Sequence, residues 1–208
     1  MGTGLISKVW MYIHKIIEKP YSKMEFDSVV EFGAGSGEHI KFVQSRYKTY
    51  FATDIRIEPL EKITELENVV VERQNIEQTN YLDATFDRVI VTCVLAHVAD
   101  PVKALAEIHR ITSQGGFLSI YLPCEPGILL RLARRFSTIP KNRRRNIQDP
   151  YFEHFLEHRS YYLALNHFIL REFSGNKIKK RFYPFPFLSW NFNLFKIYQI
   201  EISKTPNF

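Results

Sequence analysis

The sequence predicts an α/β fold: a doubly wound, mostly parallel sheet of seven strands that ends in an antiparallel hairpin, with a lid inserted after the fifth strand. Three observations lead there. From Asp27 onward, short apolar runs alternate with helix-like stretches, the rhythm of a parallel sheet covered on both faces. The first of those runs empties into three alternate glycines, Gly33, Gly35 and Gly37. The last two runs have no helix between them and therefore pair antiparallel. A chain of 208 residues can bury the core of one such domain and is too short for two ordinary ones.

Residues 1–25 hold the first element. Leu5, Ile6, Val9, Trp10, Ile13, Ile16 and Ile17 recur at spacings of three and four, so an amphipathic helix is expected there, ended by Pro20 and turned toward its own domain. Residues 26–122 form the expected ligand-binding core. Its strands are read at Ser28–Phe32, Thr49–Thr53, Val69–Glu72, Phe86–Thr92 and Phe117–Leu122. Its helices are read after Gly37, over Glu58–Leu66 and over Pro101–Ile111, with a break at Gly115-Gly116. Residues 123–159 lose the rhythm to Pro123, Pro126, Gly127, Pro140 and Pro150. Ile128, Leu129, Leu130 and Leu132 give this stretch something to bury, so it reads as a lid or acceptor insertion. Residues 160–208 return to pattern with a helix Tyr161–Phe173 that stops at Gly175. Strands near Lys177–Tyr183 and Leu194–Ser203 follow, joined by the aromatic loop Pro184–Asn193.

Composition narrows the function classes. With 45% hydrophobic and 24% charged residues, the chain is neither disordered, collagenous nor membrane-spanning. Its 28 basic and 22 acidic side chains give +6, and the excess has an address. Seven cations and no acid lie between Arg131 and Arg145, which leaves 21 against 22 elsewhere: a near-neutral body carrying one cationic segment. Two cysteines in apolar surroundings, Cys93 and Cys124, suit a reducing cytoplasm and argue against a disulfide framework or a zinc site; no metal site is expected. The longest apolar run near the N-terminus, Val9–Ile13, is too short for a secretory signal, and Ile6 stands where the myristoylation pattern wants Ser or Thr.

The glycine turn carries the chemistry. Val29-Val30-Glu31-Phe32-Gly33-Ala34-Gly35-Ser36-Gly37 is a strand entering a sharp turn where a ligand approaches the backbone with no Cβ in the way. A dinucleotide fingerprint needs glycine where Glu38 stands, so the loop favours a nucleoside ligand over NAD. From Val30 to Gly37 the stretch resembles the first motif of the class I S-adenosylmethionine-dependent methyltransferases, and further pieces follow in that family's order. Asp54 ends the second strand, where the family places an acid on the ribose hydroxyls. Asn75-Ile76 stands at the position that meets adenine, with Asn where most relatives have Asp. Phe86-Asp87 opens the fourth strand, which runs into Cys93-Val94-Leu95-Ala96-His97-Val98; Asp100-Pro101 and Leu105 to Gly116 resemble the approach to the fifth. The resemblance covers about residues 26–122. It implies a Rossmann-like fold, S-adenosyl-L-methionine as cofactor, and a binding set of Glu31, Gly33, Ala34, Gly35, Gly37, Asp54, Ile55, Asn75, Ile76 and Cys93. Arg159 to Ser203 loosely resembles methyltransferases of bacterial surface-polysaccharide clusters.

In such an enzyme the cofactor supplies the reactivity, and the protein aligns the acceptor and deprotonates it where it is an alcohol. His158 at the lid exit and His97 just past the fourth strand are the candidate bases. His14, His39, His109, His154 and His167 fall on helical spacings and read as structural or surface residues. Pro123-Cys124 lies after the fifth strand rather than the fourth, unlike a cytosine-C5 nucleophile, and Thr92-Cys93-Val94-Leu95 does not resemble the Asn/Asp-Pro-Pro-Tyr motif used on base amines. The expected reaction is methyl transfer, at oxygen, to a small or glycan-like anionic acceptor held by Arg143, Arg144, Arg145 and Arg159. The cationic segment also leaves open an RNA methyltransferase or a contact with an anionic membrane, and a non-catalytic adenosyl-ligand-binding protein is the remaining alternative.

Overall fold

The alternation that begins at Asp27 folds into one seven-stranded sheet in the computed structural model, which describes residues 5–136 and 158–203. The strands are β1 (Glu25–Phe32), β2 (Arg46–Asp54), β3 (Val69–Arg73), β4 (Phe86–Thr92), β5 (Thr112–Pro123), β6 (Lys177–Tyr183) and β7 (Phe195–Glu201). Their order is β3-β2-β1-β4-β5-β7-β6. The first five are parallel, and β7 enters antiparallel between β5 and β6, completing the expected hairpin. Among the described residues the α-helices are α1 (Leu5–Glu18), α2 (Pro101–Ile111), α3 (Ile128–Phe136) and α4 (Tyr162–Glu172).

The two faces of the sheet are covered differently. Val30, Phe32, Val89, Val91, Leu118, Ile120 and Ile200 bury against Ala104, Leu105 and Ile108 of α2 and Leu165 and Ile169 of α4. Burying each such side chain contributes about 1.5–3 kcal/mol. The period-two alternation puts Val29, Tyr50, Ala52 and Ile90 on the other face, where Ile40, Leu60 and Ile63 cover them. Ile13 and Ile17 of α1 finish that face over Tyr121, Phe195 and Ile197.

On this second face two expected α-helices are absent. After Gly37 there is a single 3-10 turn, His39–Phe42, and β2 already begins at Arg46. The glycine turn takes up residues 33–37 of the connection, and the eight residues left before β2, 38–45, hold only a single turn of helix between their loops. Over the expected helix Glu58–Leu66 the chain forms a 3-10 helix, Glu58–Ile63. Ile57, Leu60, Ile63 and Leu66 recur every three residues, the spacing at which 3-10 side chains eclipse, and Leu60 N–H donates to the carbonyl of Ile57.

α2 begins where Asp100-Pro101 directs it. The Asp100 carboxylate accepts from the N–H groups of Val102 and Lys103 at 3.1 and 3.0 Å, and Pro101 supplies no donor to satisfy. Gly115-Gly116 is not a break: both lie inside β5, where Gly115 N–H donates to Ile202 and Gly116 accepts from it, so pairing with the β7 side starts there.

Candidate active site

The strand order reverses between β1 and β4, and a crevice opens beyond their carboxyl ends. It is a cavity of about 1000 Å³. Three glycines with positive φ make the turn at its edge, Gly33 at 66°, Gly35 at 55° and Gly37 at 69°. A Cβ on Gly33 would lie 2.2 Å from Cγ2 of Val94, so no other residue fits while Val94 stays in place. Asp54 holds the turn from β2: one carboxylate oxygen accepts from Gly35 N–H at 3.1 Å and the other from Arg56 N–H at 3.0 Å.

Of the residues expected to bind cofactor, Glu31, Gly33, Ala34, Asp54, Ile55, Asn75, Ile76 and Cys93 line this cavity. Gly35 and Gly37 do not line it; they make the turn, with Gly37 N–H donating to Ala34 and its α-carbon packed against Ile63. Asn75 Oδ1 accepts from Glu77 N–H, and the Glu77 carboxylate in turn accepts from Ala99 and Asp100, which ties the third-strand loop to the start of α2. Glu31 is buried and accepts from the Tyr50 hydroxyl at 2.7 Å; burial pushes its carboxyl above the usual range. Cys93 closes β4 with φ 61°, and burial pushes its thiol up to about 11. Cys124, fully buried, is pushed up to about 12, so both stay protonated at neutral pH and neither is an activated nucleophile.

A wall that the sequence reading missed comes from α1. Trp10 and His14 line the cavity beside His39. His14 is stacked between Trp10 and Phe42, with ring centroids 5.6 and 5.2 Å away. Behind it runs a buried polar chain: His14 Nδ1 to His39 Nδ1, His39 Nε2 to Glu18, and Glu18 to Arg88 of β4. His14 and His39 are thus not surface residues. The signal available was Glu18 on the apolar side of α1, level with Ile13 and Ile17, and an arginine inside the β4 run.

At the other end of the crevice the two candidate bases meet. His97 lines the cavity, and the rings of His97 and His158 are edge to face, 4.6 Å between centroids. His158 Nδ1 lies 2.7 Å from Glu125, whose other oxygen receives Arg134 of α3 at 2.6 Å. Glu125 and His158 are both buried. Glu125 was not among the expected residues; its signal was an acid placed at the mouth of β5 within Pro123-Cys124-Glu125-Pro126-Gly127. Arg159 lines the cavity, and its backbone N–H donates to Ala96. Arg143, Arg144 and Arg145 lie outside the described residues.

A family model described as a methyltransferase domain matches residues 30–120, the stretch that builds this crevice. Those residues form a methyltransferase domain. With it stand the enzyme class and the methyl donor, S-adenosylmethionine, that the glycine loop led one to expect. No curated protein sequence matches the chain. Solved structures share the methyltransferase fold at low identity. The N-methyltransferase NodS from Bradyrhizobium japonicum, in complex with S-adenosyl-L-homocysteine, superposes with a TM-score of 0.64 at 11% identity, covering 97% of this chain and 90% of that one. The YcgJ protein from Bacillus subtilis gives 0.61 at 17%, covering 92% and 98%. The [4+2]-cyclase SpnF gives 0.67 at 10%, covering 97% and 84%. Among the described residues no helix is long and apolar enough to cross a membrane.

Proposed function

We propose that this methyltransferase moves the methyl group of S-adenosylmethionine to an oxygen of a small or glycan-like, anionic acceptor, with His158 as general base. The Glu125–His158 pair beside the cavity carries the reading. The Glu125 carboxylate, an ion-pair partner 2.7 Å from Nδ1, steadies positive charge on the ring, and Nε2 is assigned to take the acceptor's proton. In the reaction, an acceptor hydroxyl gives its proton to Nε2 as its oxygen bonds to the methyl carbon. The carbon–sulfur bond breaks in line, and S-adenosylhomocysteine leaves. Arg159 at the cavity, together with Arg143, Arg144 and Arg145, is assigned to the acceptor's charge. Asp54, with lone pairs left after its two backbone bonds, is assigned to the donor's ribose, and Asn75-Ile76 to adenine. The two free thiols fit a reducing cytoplasm.

Because a [4+2]-cyclase shares the fold, donor binding alone does not establish transfer. The test has two parts. Titration calorimetry should show S-adenosylmethionine binding that Asp54→Ala weakens by about 1.5–3 kcal/mol. Incubation with methyl-labelled donor and fractionated extract should yield a labelled, acidic small molecule by mass spectrometry. Label in RNA, or donor binding with no labelled product in any fraction, overturns the reading.

A further inference from the structure

The methyl-transfer site leaves one surface unused. α3 has no buried residue, and Ile128, Leu132 and Phe136, four apart along it, form a single exposed apolar line; Phe136 is 76% exposed. The helix packs on the 3-10 turn Trp190–Phe192, brought close by Gly127, whose Cβ would lie 3.0 Å from the Trp190 carbonyl oxygen. The loop entering that turn adds Phe187, 98% exposed, and Leu188.

This exposure is built. Asn193, fully buried, donates its side-chain amide to the carbonyls of Phe185, Leu188 and Ser189 and accepts from Phe185 N–H. Four hydrogen bonds from one side chain thus fix the loop that turns Phe187 outward. Charge follows the same address. No acid occurs from Pro126 to Gln148 or from Phe173 to Ile200. Arg131 and Arg135 of α3 and Lys179, Lys180 and Arg181 of the strand feeding the loop are exposed.

An apolar ridge flanked by cations and free of acid matches one kind of partner. A second copy of the same surface would bring cation against cation. Single-stranded RNA would stack on aromatic rings, yet Ile128, Leu132 and Leu188 have no ring to offer. An anionic bilayer takes all three features: aliphatic and aromatic side chains at the acyl boundary, and cations on lipid phosphates. We propose that α3 and the Phe187 loop dock this protein on an anionic lipid bilayer. Arg134 of α3 also holds Glu125, so docking would place the mouth of the methyl-transfer site beside the lipid surface.

The full chain should co-sediment with phosphatidylcholine vesicles containing phosphatidylglycerol and be released by salt, with little binding to phosphatidylcholine alone. Phe187→Ser with Leu188→Ser should lower partitioning about tenfold or more. Arg131→Gln with Arg135→Gln should lower it about fivefold per charge and flatten the salt dependence. All four residues are exposed, and unchanged melting curves would exclude misfolding. Donor binding, measured alongside, reports on the methyl-transfer site separately. The proposal is overturned if the chain ignores both vesicle types, or if neither variant changes partitioning. It is equally overturned if Phe187→Ser instead abolishes RNA binding or a dimer in sedimentation equilibrium while vesicle binding is absent.

Discussion

The Nδ1 atoms of His14 and His39 lie 2.6 Å apart, at the inner wall of the donor cavity. One proton fits between them. Burial, and then the charge of His39, pushes His14 down from 6.5 to about 4, while Glu18 pulls weakly the other way. His14 is therefore neutral in the folded enzyme at neutral pH.

A pH dependence of stability follows. Between 6.5 and about 4 the unfolded chain carries a proton on residue 14 that the folded chain does not. Stability should be full above 6.5 and decline as pH falls toward 4, by roughly 3 kcal/mol at most. Glu18, whose carboxyl Arg88 and His39 hold low against the cost of burial, adds its own loss below 4.5. Urea unfolding across this range tests the assignment. His14→Phe, which keeps the stack between Trp10 and Phe42, should flatten the upper window; an unchanged slope would reject it.

Arg88 crosses from β4 to α1, with NH2 2.6 Å from Glu18 and its guanidinium 3.5 Å over the Tyr21 ring; both charged side chains are fully buried. Arg88→Met would leave the Glu18 carboxylate without its main counter-charge and should cost about 3–5 kcal/mol. The double change Arg88→Met with Glu18→Leu should cost less than either single change, because no charge is stranded. Denaturant midpoints decide, and simple additivity would show that the pair is not coupled.

The strands and α2 were legible because their signals are local. Val29 to Phe32 and Phe86 to Thr92 are short apolar runs, and Asp100-Pro101 is a helix start that needs no tertiary help. On the second face α1 was legible, and the two 3-10 segments were not. An apolar repeat of strictly three at Ile57, Leu60, Ile63 and Leu66 passes for an α-helix, although it lacks the steps of four that an α-helical face needs. The glycine loop and Asp54 showed themselves through type and spacing. Glu125 and the His14–His39–Glu18–Arg88 chain did not, since Glu125 is 33 positions from His158 and the links of the chain span 25, 21 and 70 positions.

Gly33 and Gly115 form a controlled pair, because both have positive φ, 66° and 79°, but only one is crowded. At Gly115 a Cβ meets nothing within 4 Å, so Gly115→Ala should cost about 1–2 kcal/mol of stability and leave donor affinity intact. At Gly33 the same strain is joined by a 2.2 Å collision with Val94 inside the cavity wall. Gly33→Ala should therefore lose donor affinity at least about tenfold as well as stability. Adding Val94→Ala should recover stability. Calorimetry and thermal melts on the three variants separate the two effects, and equal donor binding by both single variants would show that Gly33 is only a turn residue.

His158 and Glu125 make the sharpest kinetic case, since the pair sits apart from the residues assigned to the donor. His158→Ala should lower kcat by about 10²–10⁴-fold while donor Kd stays unchanged. Glu125→Gln keeps the size of the side chain and its contact with Nδ1 but removes the charge that steadies the imidazolium formed during transfer. It should therefore lower kcat by less than His158→Ala, again without changing donor Kd. His97 touches the same ring edge to face and lines the cavity, so it is the competing base. If His97→Ala costs more than His158→Ala, the roles exchange. If both are silent, the acceptor arrives already deprotonated or is an amine. Cys93→Ala is the internal control: with its thiol pushed up to about 11, it should leave kcat within about twofold.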